Sequence, residues 1–156
     1  MKTSIATGAL ALSFTVAGAA FAQAAPKDVH VGGKVANFAL PEQDYSSPDF
    51  EHLSFWSGPN GKAIEYEYGP GPKQVRLRAI GPSAGGDGFA VRFPNGLVLD
   101  IVPQGKTLQV SDRKGGYSKT FEWMYEGPVE GRGTFCTPCV DGDEAAVGFV
   151  RKHFME

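Results

Sequence analysis

Cysteine is scarce in this chain: Cys136 and Cys139 are the only two among 156 residues. A disulfide scaffold needs four, six or eight, so disulfides do not hold the bulk of this domain together. Histidine is scarce too, with single residues at 30, 52 and 153. No sequence-local His cluster marks a metal centre, and neither a metal nor a cofactor is expected. An excess of one charge sign is missing. Fifteen Lys and Arg stand interspersed with 17 Asp and Glu, which leaves no basic stripe for nucleic acid. Beyond the N-terminus no apolar run is long enough to span a bilayer as a helix. Val140 follows the second cysteine where c-type haem attachment needs His. GPSAGGDG (81–88) precedes a strand, and no Lys-Ser/Thr follows its glycines, so it reads as a connecting loop and not a phosphate cradle. DGDE (141–144) lacks the spacing of a calcium loop. The serines are read as carrying no nucleophile motif. These gaps lean away from an enzyme.

What is present begins with an address. After Lys2 comes a small, apolar stretch from Ile5 to Phe21, and Ala20-Phe21-Ala22 places small residues where a signal peptidase reads. This predicts a secretory signal peptide over residues 1–22 and a periplasmic or secreted protein with no membrane span after cleavage. Residues 23–50 read as an irregular N-terminal segment, because Gly32-Gly33 interrupts Val29, Val31, Val35 and Phe38. Residues 51–156 read as one domain. With 21 Gly, 11 Pro and 11 Phe and few helix-forming runs, that domain should consist of short strands joined by tight turns.

Two-residue alternation starts near His52 and runs to Glu126. In AIEYEY (63–68), Ile64, Tyr66 and Tyr68 share one face, opposite Glu65 and Glu67. In QVRLRAI (74–80), Val75, Leu77 and Ala79 lie opposite Arg76 and Arg78. Pairing Tyr66 with Leu77 and Tyr68 with Val75 sets Glu65 against Arg78 and Glu67 against Arg76. GFAVRF (88–93) and LVLDIV (97–102) flank Pro94-Asn95-Gly96. A three-residue loop pairs Phe93 with Leu97, Val91 with Leu99 and Phe89 with Ile101, and it puts Gly where a left-handed residue is needed. It also brings Arg92 near Asp100 on the outer face. PQGK (103–106) turns the chain so that Leu108 and Val110 fall opposite Ile101 and Leu99. RKGGYS (113–118) leads into a strand with Phe121, Trp123 and Tyr125 on one face. HLSFW (52–56) and GRGTF (131–135) can add strands.

One helix is expected, capped by Asp141 or Asp143 and running through 144–154, with Ala146, Phe149, Val150 and Phe154 as its apolar stripe and Val147 at its border. The fold class is therefore mainly β: an antiparallel meander of six to eight strands, forming a curled sheet or small barrel, with one C-terminal helix across an opening or edge.

The cysteine pair admits three chemistries. Cys136, Cys139, His153 and an aspartate (Asp141 or Asp143) would make a zinc set. Cys-x-Pro-Cys is also a thioredoxin-type spacing, but here it lies near the end of the chain, and Asp141, Asp143 and Glu144 would raise a thiolate's pKa. A local disulfide would clamp the joint between the last strand and the helix, and this reading is preferred.

Tyr66, Tyr68, Phe89, Phe93, Phe121, Trp123 and Tyr125 share the apolar face. They are core, or they line a ligand cavity inside a barrel. Lipocalins offer the obvious comparison, but their Gly-x-Trp signature is missing, since Phe55-Trp56-Ser57-Gly58 does not match it. The size, export signal and meander resemble the general shape of periplasmic lysozyme inhibitors, in architecture alone. The expected function is a non-enzymatic binding module for a periplasmic or cell-envelope protein or ligand. It would act through a polar sheet face and the loops Tyr45–Phe50, Gly81–Gly88 and Arg113–Ser118. The alternatives are an apolar-ligand carrier using the barrel interior and a thiol–disulfide protein using the cysteine pair.

Overall fold

Among the described residues eight strands follow one another: β1 Lys34–Ala39, β2 Glu51–Gly58, β3 Gly61–Tyr68, β4 Lys73–Pro82, β5 Phe89–Arg92, β6 Val98–Gln104, β7 Thr107–Asp112 and β8 Ser118–Trp123. A helix, α1, covers Asp143–Phe154. Each strand pairs antiparallel with the next, and β8 returns to β1, so the meander closes into a barrel. The computed structural model describes residues 27–124 and 136–156. The signal peptide read over 1–22, Tyr125 and the strand read over 131–135 lie outside the described residues.

Residues 23–50, read as irregular, are in part a strand. They contain β1, which pairs with β2 over its whole length. Gly32-Gly33 ends just before Lys34, so the glycines bound the strand and do not break it. Closure needs this strand: without it β2 and β8 would both present open edges. Gly33 also meets a packing demand, because a Cβ there would lie 2.5 Å from the Val29 carbonyl oxygen.

Two registers differ from expectation, each by two residues. Tyr66 pairs with Val75 and Ile64 with Leu77, while Glu65 faces Arg76 and Glu67 faces Gln74. Similarly, Ile101 pairs with Val110 and Pro103 with Leu108. The turns explain both shifts. Tyr68 pairs with Lys73 across Gly69-Pro70-Gly71-Pro72, and Gln104 pairs with Thr107 across Gly105-Lys106. Gly69, Gly71 and Gly105 have positive φ, which makes these tighter turns possible. A shift of two leaves every side chain on its expected face. The β5–β6 hairpin has the expected register: Phe89 faces Ile101 and Val91 faces Leu99, and the Phe93 N–H donates to the Leu97 carbonyl at 2.8 Å. Asp100 does not pair with Arg92. It accepts from Arg113 at 3.1 Å and from the Ala84 N–H at 3.2 Å.

Inside the barrel, Phe38, Leu53, Phe55, Ile64, Val91, Ile101, Leu108 and Phe121 form a continuous core. Eight strands enclose only enough room for their own side chains. Around Leu53, Leu77, Val91, Ile101 and Phe121 no space remains for a water-sized sphere. Helix α1 closes one end. Ala146, Val147 and Val150 join the core, and the Phe154 ring meets Phe55 at 5.5 Å and Phe89 at 6.0 Å. The N-cap is Gly142 at φ +103°, and neither expected aspartate makes a capping hydrogen bond. Asp143 instead accepts the Glu144 N–H at 2.7 Å and pairs with Lys106 at 3.3 Å in the β6–β7 turn.

The seam between β8 and β1 is only half a ladder. Strand pairing covers Phe38 and Ala39, and the Met124 N–H extends it to the Asn37 carbonyl. At Val35 the partner is the cysteine segment. The Val35 N–H donates to the Pro138 carbonyl at 3.0 Å, and the Val140 N–H donates to the Val35 carbonyl at 2.8 Å. Cys136 and Cys139 lie at disulfide-bonding distance, their Cα atoms 5.3 Å apart. The bracketed turn therefore completes the seam just before the helix begins. Replacing both cysteines by serine should cost about 2 kcal/mol, the chain-entropy value for so short a loop. A urea titration followed by circular dichroism would read this as a lowered midpoint with barrel signal retained.

Candidate functional site

Among the concave surfaces of the described barrel are two of about 520 and 510 Å³. The first is its open mouth, opposite α1, where the β1–β2, β3–β4, β5–β6 and β7–β8 connections gather. A cleft of about 520 Å³ there is lined by Tyr66, Tyr68, Val75, Phe93, Pro94, Asn95, Leu97, Leu99 and Tyr117. The Tyr66 ring stacks on Tyr68 at 5.6 Å and meets Phe93 edge-on at 5.2 Å. Behind these rings lies Glu51, on the same inward rhythm of β2 as Leu53 and Phe55. The Tyr117 hydroxyl donates to one Glu51 oxygen, and the Lys119 ammonium pairs with the other. Burial, then the neighbouring Glu51, raises both the Tyr66 and Tyr117 phenols, so they stay protonated.

The aromatic residues named from the sequence therefore divide. Tyr66, Tyr68 and Phe93 line the mouth cleft. Phe89 and Phe121 lie in the filled interior. Trp123 sits half-buried beside the seam and donates its Nε1–H to the Val140 carbonyl at 3.2 Å.

The second concavity lies on the outer wall of β1–β4. Outward side chains of a barrel normally face water, yet here Asn37 is 4%, His52 3%, Ser54 8% and Glu65 5% exposed. Local sequence sends them outward by the same two-residue rhythm that sends Phe38, Leu53 and Ile64 inward. What encloses them comes from elsewhere in the chain. His30 folds its ring edge-on to Trp56 at 4.5 Å, Tyr45 packs on Phe50, and Cys136 borders one end. The result is a polar groove of about 510 Å³ lined by these residues and by Val35, Glu67, Pro72 and Gln74.

Its hydrogen bonds are largely internal. Glu65 accepts from Arg76 at 2.8 Å, from Gln74 at 3.1 Å and from His30 Nε2 at 3.1 Å. Ser54 donates to the Asn37 side-chain oxygen at 2.9 Å, and Asn37 in turn donates to Cys139 Sγ at 3.4 Å. His52 Nδ1 lies 3.4 Å from Glu67 Oε2. That hydrogen bond is the main reason the Glu67 carboxyl titrates below its usual range, against the opposing effect of burial. Two ring nitrogens, His52 Nε2 and Trp56 Nε1, stay buried without a hydrogen-bond partner among the described residues. Such a group costs about 1–3 kcal/mol when left unpaired and calls for an explanation.

His30 fastens the N-terminal segment to this wall. Its Nδ1 lies 2.6 Å from Asp28, and its Nε2 faces Glu65. Burial works against the charged ring, but the hydrogen bond and charge of Glu65, then those of Asp28, outweigh it and hold His30 above its ordinary value. A raised folded value means the pairing is fully present at pH below the unfolded value near 6.5 and is lost as pH rises through the folded one. The protection factors of the amides at residues 30–33, taken relative to the base-catalysed intrinsic rate, should therefore fall between pH 6 and pH 8. Unchanged protection across that window would contradict the pairing.

The three loops expected to act together do not share one surface. Tyr45–Phe50 and Arg113–Ser118 belong to connections at the mouth, whereas Gly81–Gly88 joins β4 to β5 at the helix end, beside Phe154 and Met155. Residues 81–85 also spell Gly-Pro-Ser-Ala-Gly, a Gly-x-Ser-x-Gly spacing that the serine reading passed over. A nucleophile elbow needs a strand-to-helix turn with an exposed hydroxyl. Ser83 is buried between antiparallel strands, donates to Asp87 at 3.2 Å and accepts from the Gly88 N–H at 3.0 Å, so it pins the loop. Of the zinc set considered above, the cysteines lie at bonding distance from each other, and the His153 ring is placed by Ser57 at 3.1 Å. Among the described residues no group of three His, Cys, Asp or Glu is arranged to hold a metal ion. A scan against protein-family models and comparisons with curated proteins and with solved structures find no match to this chain.

Proposed function

We propose that this chain is an exported, non-enzymatic binding module that takes a periplasmic or cell-envelope ligand in the polar groove on the outer wall of β1–β4. One observation carries the reading: polar side chains that strand geometry sends to solvent are enclosed there, and His52 and Trp56 keep buried nitrogens without partners among the described residues. A wall serving only as a solubilising surface would leave these groups to water at no cost. A groove organised to receive a ligand accounts for them, because the ligand supplies the missing partners. The filled barrel supports the same reading by directing recognition to the surface.

The test compares the mature chain with Glu67→Lys in the groove and Gln104→Lys at the helix end, as bait in extracts of the cell envelope. A partner held by the wild type and by Gln104→Lys, but lost by Glu67→Lys, supports the groove. Equal retention by all three refutes it.

The mouth cleft favours a second reading, an apolar-ligand carrier. Its floor is closed by packed side chains, so it would accept a short or planar apolar group and exclude a long chain threaded down the barrel. Saturable binding of an anilinonaphthalene dye, weakened at least tenfold by Tyr68→Ser, supports that use. No saturation removes it.

A further inference from the structure

We infer that the groove selects a cationic group, the guanidinium or ammonium of a basic residue in a partner polypeptide. This inference rests on the groove being the binding site.

Charge is the first argument. Two carboxylates, Glu65 and Glu67, line the groove. The basic groups close to them, His30 and Arg76, are both directed at Glu65. Among the described residues Glu67 pairs with no Lys or Arg; the imidazole of His52 lies 3.4 Å from it, and 27% of its side chain is exposed. Because it titrates low, it presents a full negative charge to an incoming group at neutral pH.

Hydrogen-bond polarity is the second argument. His52 Nδ1 faces a carboxylate oxygen, which accepts, so the ring proton belongs on Nδ1. In the neutral ring His52 Nε2 is then a buried acceptor that has no donor among the described residues. A guanidinium or ammonium offers several donors, enough for both Glu67 and His52. An anion would leave Nε2 unsatisfied and would repel Glu67. Aromatic rings are the third argument: Trp56 and Tyr45 both line the groove, and aromatic faces attract a desolvated cation.

Trp56 Nε1–H points to the source of that cation. It is a donor without an acceptor among the described residues, and a free polyamine has no acceptor to give. A basic residue within a polypeptide brings a cationic head and a backbone carbonyl together.

The experiment titrates the isotope-labelled mature chain with four capped amino acids, each as N-acetyl-N′-methylamide: arginine, lysine, glutamine and glutamate. Amide and Trp56 indole shifts are followed by NMR. The expected result is saturable movement of residues 52–67 and of the indole with arginine and lysine, weakened at least tenfold by Glu67→Gln and weakened by added salt. Folding of Glu67→Gln is checked by its unchanged spectrum elsewhere. If capped glutamine or glutamate saturates the groove as well as arginine does, the cation assignment falls and the groove remains a site. If no probe moves the groove, and Glu67→Lys keeps every captured partner, both the assignment and the binding-module reading fall.

Discussion

Phe55→Ala lowers the free energy of unfolding by about 4 kcal/mol, the range for removing a fully buried phenylalanine from a packed core. Phe55 is 0% exposed. Its ring meets Phe38 at 5.9 Å, Phe89 at 6.2 Å and Phe154 at 5.5 Å. It therefore joins three strands of the wall to the helix that closes the end. Truncation removes these contacts together, and a closed barrel cannot collapse far into the space left behind. Since a domain of this size has about 5–15 kcal/mol in all, the variant should sit near the edge of folding. Urea unfolding measures the loss, with Tyr68→Ala at the exposed rim as a control expected to change stability by less than about 1 kcal/mol. A Phe55→Ala loss no larger than that of the control would show that the helix is not seated on this ring.

Gly88→Ala should cost about 3 kcal/mol, at the upper end for overpacking. A Cβ at Gly88 would stand 2.1 Å from the Ile101 carbonyl oxygen and 2.9 Å from Val102 Cα. Both neighbours are backbone of β6, so no side chain can rotate away, and β5 must separate from β6 next to the Phe89–Ile101 pair. Gly86, two residues earlier, makes the informative contrast. Its φ is +77°, and a Cβ there meets nothing within 4 Å. Gly86→Ala should cost only the conformational penalty, about 1 kcal/mol. Thermal unfolding of the two variants side by side tests the distinction. Equal losses would mean that β5 and β6 do not approach so closely.

These two glycines also show the limit of reading the chain alone. GPSAGGDG presents them as equals in a flexible loop, and nothing local says that one faces open solvent while the other is pressed against a carbonyl. The pairing errors share this origin. A two-residue rhythm fixes the face of Tyr66, Leu77, Ile101 and Val110, yet sliding a strand by two residues preserves every face. The hairpin at Pro94-Asn95-Gly96 escaped the ambiguity because its loop length was legible, with Gly96 at φ +89° where a left-handed residue was required. The β3–β4 and β6–β7 turns proved tighter than read, and the ladders moved with them.

The candidate groove was less visible still. Glu65, Glu67, His52 and Trp56 could be placed outward by counting, but outward implied solvated. Their enclosure in a groove depends on His30 and Tyr45, brought from segments with no strand pattern, and on Cys136, brought back from more than 80 residues downstream of His52.

The sequence by itself determined the alternation along β2 to β8, the face on which their inward residues lie, the C-terminal helix with its apolar stripe and the proximity of Cys136 to Cys139. All of these follow from interactions within a few residues or across one turn. Closure of β8 onto β1, the cysteine turn completing that seam, and the enclosure of polar residues on the outer wall were decided only in three dimensions. They depend on contacts between segments far apart in the chain, whose geometry no local periodicity encodes.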